Sequence, residues 1–303
     1  MAIAAPAEPM YGRRIRKVQA WCQARGFRVR ISPDVKRART FTRQDDEFRA
    51  CNLMELASDP KVRAIICARG GYGTARVLRF LDSEPFRRNA PLLMGYSDAT
   101  LLLAWASTVA GLVTFHGPVA WSLEPGMNGE TEASLVRALT ASEPWGPVGR
   151  GYTEVVVPGR ASGQLVGGNL TMVAHTLGTP YEVQTEGTIL FLEDTSGYED
   201  TEEDIEQALL HLKMAGSLDR AAGFVLGELS DDEDYAESLL ETFLDLVGRD
   251  RPVLAGFPAG HVEPNLVLPF GVRVELNGSG IAGLRVLESP LDPAEPPARV
   301  AIR

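Results

Sequence analysis

At 303 residues the chain is long enough for one large domain or two ordinary ones, and its 45% hydrophobic and 23% charged residues are those of a globular protein. A formal net charge of -10 argues against a nucleic-acid surface, because phosphate contacts need an excess of Lys and Arg. Three scattered cysteines, Cys22, Cys51 and Cys67, with no CxxC pair and no HExxH, exclude a disulfide framework and leave a zinc site without local support.

The opening MAIAAPAEPMYGRRIRK places its apolar stretch before the basic residues, the reverse of a signal peptide, and reads as a first strand, Ala2 to Ala5. A helix from Met10 to Arg25 carries Ile15, Val18, Trp21 and Cys22 at helical spacing, and Gly26 stops it. Then come a strand from Phe27 to Ile31, a helix from Thr42 to Ser58, and a continuous apolar run from Ala64 to Ala68 suited to a strand covered on both faces. A helix from about Gly73 to Leu81, a strand from Leu92 to Tyr96, a helix from Asp98 to Ala110 and a strand from Leu112 to Phe115 complete a βαβαβαβαβ series. That series predicts a Rossmann-like, doubly wound parallel sheet over residues 1–123. The apolar run from Leu101 to Val113 is broken by Ser107, Thr108 and Gly111 and is too short to span a bilayer, so a soluble cytoplasmic protein with no membrane partner is expected.

Gly, Pro and charged residues dominate from Glu124 to Arg160, around one short helix from Thr131 to Thr140, and this stretch reads as a linker. Beyond it, strands at Ile189 to Leu192, Phe224 to Leu226 and Val253 to Gly256 alternate with helices at Thr201 to Ala215 and Tyr235 to Val247. The alternating C-terminal segment, with turns at Pro269 to Gly271 and at Asn277-Gly278, predicts antiparallel β-structure. Residues 161–303 therefore read as a mixed, β-rich second domain.

Four segments could carry chemistry. Ser97, in LLMGYSDAT, stands where a buried strand ends and a helix begins, a turn that lifts a hydroxyl above the sheet edge. Gly95 supplies one of the small neighbours such an elbow needs, and Ala99 replaces the usual second glycine. Taken alone, Ser-Asp before a helix also reads as a plain N-cap. RGGYG, Arg69 to Gly73, follows another buried strand and could cradle an anion with backbone N–H groups, or be only a tight turn. A serine nucleophile needs an imidazole base and an orienting acid. Of the four histidines, His211 lies on a charged helix and His175 on a short one, whereas His116 and His261 follow strands. Glu193 and Asp194 both end an apolar strand, so either could be the acid; the carboxylates from Glu199 to Asp204 suit the start of a helix.

Taken in order, AIAAPAEP, ICARGGYG, GYSDAT with FHGP downstream, LVGGNLT, LFLED and AGHVEPN closely resemble the LD-carboxypeptidase family of serine peptidases over almost the whole chain. The resemblance implies a Rossmann-like N-terminal domain bearing the serine and a C-terminal domain with a β-barrel-like core bearing the acid and base. It implies Ser97 as nucleophile, His261 as general base and Glu193 as orienting acid, with the N–H groups of Gly71 and Asp98 as the oxyanion hole. It also implies no metal or cofactor, a homodimer, and action on recycled murein peptides at the bond between a diamino acid and terminal D-Ala. A sister branch cleaves peptide-nucleotide antibiotics of the microcin C type and stacks an aromatic side chain on adenine, a part Trp145 could play here, although a lone Trp in a Pro/Gly linker is more often packing. Arg69, beside the glycine turn, and His116 are the expected substrate contacts. A non-catalytic module that binds an anion at RGGYG is the remaining alternative.

Overall fold

The computed structural model describes residues 1–196, 201–279 and 282–291. Glu199 and Asp200, and the end of the second domain from residue 292, lie outside the described residues. The first half alternates strand and helix as its apolar spacing demands: β1 (Ala2–Ala4), α1 (Gly12–Ala24), β2 (Arg30–Ile31), α2 (Arg43–Ser58), β3 (Ala64–Cys67), α3 (Thr74–Leu78), α4 (Glu84–Asn89), β4 (Leu92–Gly95), α5 (Thr100–Thr108) and β5 (Thr114–His116). α2 starts where Thr42 accepts a hydrogen bond from the Asp45 N–H, a side-chain cap that fixes its first turn. α4 was not anticipated, and the helix expected from Gly73 to Leu81 stops at Leu78.

The first sheet runs β5-β4-β3-β1-β2, all parallel, so the direction in which successive strands are added reverses between β1 and β3 and the loops after those strands part there. Crevices at the carboxyl ends of such strands are where ligands bind in open α/β sheets. One further strand, β12 (Leu268–Phe270), joins this sheet antiparallel to β5 although it comes from the far end of the sequence.

The remaining elements are α6 (Gly129–Thr140), β6 (Gly146–Val148), β7 (Glu154–Val157), β8 (Arg160–Asn169), α7 (Leu170–Ala174), β9 (Ile189–Glu193), α8 (Glu202–Met214), α9 (Ser217–Arg220), β10 (Gly223–Leu226), α10 (Glu233–Val247), β11 (Val253–Ala255), β13 (Arg273–Asn277) and β14 (Gly283–Val286). They form a second, eight-stranded sheet in the order β6-β14-β13-β8-β9-β10-β11-β7. β8 to β11 run parallel, while the flanks are antiparallel. The fold is thus mixed α/β, a parallel sheet beside a curled, half-barrel sheet.

Residues 124–160 are built into this second half: β6 and β7 form its two edges, and α6 accepts the Asn265 and Val267 N–H groups at Thr131 and Ser134 while its Glu132 pairs with Arg25 of the first half. The Gly and Pro residues that read as a linker mark the ends of those short strands. Trp145 is buried against Phe115 of β5, ring centroids 6.1 Å apart, with the Arg137 guanidinium over its face, so it packs the core. Phe115, Phe191, Phe257 and Phe270 share one apolar cluster, and that common core joins the two sheets. Among the described residues no helix is long and apolar enough to cross a membrane.

Candidate active site

Ser97 follows Tyr96 just past the end of β4, with φ +62°, one of three non-glycine residues with positive φ among the described residues. Holding an L-residue there costs about 1 to 3 kcal/mol, so the surrounding packing must impose it. Three contacts do so. A Cβ at Gly95 would lie 2.7 Å from the Ala99 Cβ, so the turn closes only because both residues are small. A Cβ at Gly70 would lie 2.8 Å from both Cβ and Oγ of Ser97, which means the glycine turn after β3 rests against the hydroxyl itself. The buried Asp98 side chain accepts a hydrogen bond from the Thr74 N–H at 2.9 Å and so ties the serine turn to the far end of the same glycine turn. Burial lifts the Asp98 carboxyl to about 6, and its hydrogen bonds to Thr74 only partly offset that rise.

The glycine turn is braced from behind as well. Arg39 donates to the Gly73 carbonyl at 2.8 Å, and a Cβ at Gly73, φ +129°, would collide with that guanidinium. Arg39 lies near Asp45 and Asp46, and Asp45 also pairs with the fully buried Arg49; Arg49 in turn donates to the Ala5 carbonyl at 2.8 Å. The loops after β1 and β3 therefore share one charged, buried scaffold.

The second half brings the acid and the imidazole. Glu193 closes β9 and is 1% exposed; its Oε2 lies 2.8 Å from Nδ1 of His261 and accepts the His261 backbone N–H at 3.2 Å. A carboxylate buried this deeply is tolerable because it is paired, and removing the partner of such a pair costs about 3 to 5 kcal/mol. Gly260 makes the approach possible: at φ +102°, a Cβ there would fall 2.2 Å from Oε2. The loop that carries His261 is closed by Asn265, which accepts from the Gly260 N–H at 3.1 Å, and its own N–H donates to Thr131 of α6 at 2.8 Å. Burial draws the His261 imidazole down, but the hydrogen bond and charge of Glu193, with Asp194 and Asp231 behind, outweigh it and leave the pKa above the usual histidine value.

Asp194, the neighbouring carboxylate, is committed elsewhere. It accepts from Asn169 Nδ2, from the N–H and hydroxyl of Thr171, and from the Thr195 N–H, all within 2.9 Å, and so anchors the start of α7. Burial and the charge of Glu193 raise its carboxyl to about 6. Geometry thus separates two acids that the sequence left side by side.

The halves meet at this point. Tyr96, next to Ser97, packs edge-on against the His261 ring at 4.8 Å, and the Asn169 N–H donates to Thr100 Oγ1 at 3.2 Å. No hydrogen bond links Ser97 Oγ to His261 among the described residues. Such contacts commonly tighten only when substrate is bound. A cleft of about 500 Å³ opens beside His261, lined among others by Tyr96, Trp121, Arg14, Asp231 and Asn265. Arg69 is exposed, with its guanidinium 5.1 Å from the centre of the Trp121 ring and no carboxylate partner among the described residues. Arg14 covers the same ring at 4.7 Å but is paired with Glu124.

His116, expected among the substrate contacts, is fully buried and lies behind Glu193, its Nε2 3.8 Å from Oε1, so it cannot touch a ligand in the cleft. His175 and His211 are exposed, away from this junction. Among the described residues no group of three or more His, Cys, Asp and Glu could hold a metal. The residues sequence reasoning missed are Gly70 and Gly260, whose missing side chains admit Ser97 and Glu193, and Asn265, which closes the base loop. The glycines could have been found only as clustered small residues beside candidate catalytic ones.

The family model described as the LD-carboxypeptidase N-terminal domain matches residues 1–117, and that of the LD-carboxypeptidase C-terminal domain matches residues 162–276. A probable murein peptide carboxypeptidase of Bacillus subtilis is 32% identical over 291 residues, covering 91% of this chain and 88% of the relative. The microcin C7 self-immunity protein MccF of Escherichia coli is 28% identical over 306 residues, covering 90% and 88%. The crystal structure of muramoyltetrapeptide carboxypeptidase from Oxalobacter formigenes superposes with a TM-score of 0.79 at 29% identity, covering 94% of this chain and 98% of that one. MccF in complex with glutamyl sulfamoyl guanosine gives 0.84 at 23% identity, a likeness of fold, covering 96% of each chain. By sequence and by fold alike, the chain belongs to the LD-carboxypeptidase family of serine-type hydrolases.

Proposed function

We propose that this protein releases terminal D-Ala from murein tetrapeptide in the cytoplasm, as a homodimer, by cutting the L,D peptide bond with Ser97, His261 and Glu193. The observation that carries this reading is the buried Glu193–His261 pair, 2.8 Å apart, set against the strained turn that presents Ser97. Ser97 Oγ attacks the scissile carbonyl while His261 Nε2 takes its proton, and the N–H groups of Gly71 and Asp98 receive the charge that develops on oxygen. The C–N bond then breaks as His261 returns the proton to the departing amine of D-Ala. Water, deprotonated by His261, next attacks the acyl carbon, and the imidazolium gives its proton to Ser97 Oγ as the ester C–O bond breaks. Glu193 holds the tautomer in which Nδ1 carries hydrogen and steadies the imidazolium formed in each half-reaction.

The test is turnover of a murein tetrapeptide compared with an acyl-adenylate analogue, together with labelling of Ser97 by a fluorophosphonate. Release of D-Ala with negligible cleavage of the analogue is the expected result. Preferential cleavage of the analogue would move the protein to the immunity branch, represented by its relative MccF. The packed position of Trp145 removes that ring as a partner for a base. Absence of labelling and of both turnovers would leave only an anion-binding role for the glycine turn.

Arg69 is proposed to receive the terminal carboxylate of D-Ala, because it is a cation beside the glycine turn without a carboxylate partner among the described residues. A guanidinium grips a carboxylate through two parallel N–H donors, which an ammonium cannot reproduce. Arg69→Lys should raise KM on the order of tenfold, the equivalent of about 1.4 kcal/mol, with a smaller change in kcat. Unchanged KM and kcat in a steady-state assay would remove Arg69 from the binding site.

A further inference from the structure

We propose that His116 is a positioning residue that donates its Nε2–H to Oε1 of Glu193 and thereby holds the carboxylate in the rotation that keeps Oε2 on Nδ1 of His261. The inference rests on the serine mechanism proposed above and adds to it a fourth side chain that never meets substrate.

Glu193 has two oxygens and, among the described residues, only one is provided for. Oε2 takes both the ring and the backbone N–H of His261, whereas Oε1 is buried without a hydrogen-bond partner among those residues. Both ring nitrogens of His116 are likewise buried and unpartnered, and Nε2 is 3.8 Å from Oε1. Two unsatisfied polar groups facing one another at that separation need a shift of about 1 Å to form a hydrogen bond of ordinary length. Leaving either unsatisfied costs about 1 to 3 kcal/mol. The ring has little else to bond. Phe191 and Phe270 pack on it at 5.2 and 5.7 Å between centroids, and Tyr96 lies edge-on at 6.2 Å.

Backbone pairing fixes where His116 stands. It ends β5, registered against Gly95 of β4 on one side, two residues before Ser97, and against Leu268 of β12 on the other. Glu193, His261 and Tyr96 are the titratable groups that face it. Burial holds His116 near 4, so it is neutral at physiological pH. That neutrality suits the role. A charged imidazolium here would compete with His261 for the carboxylate, while a neutral N–H orients Glu193 and leaves its charge directed at the base.

The test exploits which nitrogen is used. The amide nitrogen of glutamine reaches about as far as Nε2, whereas that of asparagine reaches only to the position of Nδ1. With the full-length protein, kcat and KM are measured on murein tetrapeptide, and Ser97 labelling by a fluorophosphonate supplies a rate that needs the base but no natural substrate. His116→Phe and His116→Asn should each lower kcat and labelling on the order of ten- to a hundredfold with KM unchanged, and His116→Gln should recover most of the loss. In a Glu193→Ala background, His116→Phe should cost less than about threefold, because nothing remains to be positioned. A glutamine variant no better than the asparagine one, or a full multiplicative loss in the Glu193→Ala background, would overturn the assignment. Ser97→Ala run alongside separates the two failures: full turnover there sinks the serine mechanism, whereas its loss with an inert His116 series sinks this inference alone.

Discussion

Ser97→Ala is expected to abolish turnover almost completely, by on the order of 10⁶-fold in kcat, and adding His261→Ala to it is expected to cost little more. The two residues come from different sheets, so the proton relay exists only where those sheets meet. Once the nucleophile is gone, the base has no proton to take, and a second substitution has nothing left to remove. Steady-state rates of D-Ala release from the two single variants and the double variant decide the matter. Ser97→Ala should keep its melting temperature within a few degrees, the shift expected for about 1 kcal/mol in a chain of this size. The variants without His261 leave the buried Glu193 carboxylate unpaired and should melt lower, so rates are compared at a temperature where all three are folded. Independent, multiplicative losses in well-folded protein would show that Ser97 and His261 are not partners.

The elements that position Ser97 were legible because they obey local rules. A run of buried apolar residues followed at once by a helix start is visible in LLMGYSDAT, and β4 and α5 lie there within a few residues of the boundaries expected. β8, the longest strand among the described residues, was not anticipated. Its Gly163, Gly167 and Gly168 are demanded by close approach. A Cβ at Gly167 would lie 1.8 Å from the Phe191 carbonyl oxygen, and one at Gly168 would lie 2.5 Å from Thr100 Cγ2. Glycine within a strand marks where another backbone or element comes near, and here the neighbours are β9, which carries Glu193, and the first turn of α5.

The choice between Glu193 and Asp194 was hidden for a related reason. Both end the same strand, and only the partners brought in from elsewhere distinguish them: the His261 loop for one, the start of α7 for the other. Nor could local pattern reveal that β12 crosses to the first sheet, since its pairing with β5 joins segments about 150 residues apart. That crossing places Leu268, seven residues beyond His261, beside His116 at the end of β5. It also explains how His261, on an irregular loop, is held at the junction with the first sheet. One end of the loop is fixed in the second sheet by β11, the other in the first by β12, and Thr131 of α6 grips its middle through Asn265.

Glu193→Gln is expected to lower kcat on the order of 10⁴-fold, less than loss of Ser97, and to move the pH dependence of what remains. His261 must be neutral to accept the Ser97 proton, so the rate rises with pH through its apparent pKa. In the native protein Glu193 pushes that pKa above 6.5 against the opposing effect of burial. With glutamine the charge disappears, burial is left opposed only by the more distant Asp194 and Asp231, and the midpoint must fall. At a pH below the native midpoint, the variant should therefore retain a larger fraction of its own plateau rate than the native enzyme does. Stability follows the same sign. A histidine whose folded pKa is raised stabilises the fold fully below its unfolded pKa, and loses that contribution as pH rises through the folded value. The native protein should thus gain stability over Glu193→Gln on the acid side of 6.5, and that gain should shrink at higher pH. A pH–kcat/KM profile and melting curves for both proteins across this range are the measurements. An unchanged or raised midpoint would mean that Glu193 does not act through the His261 imidazole, however close the two lie.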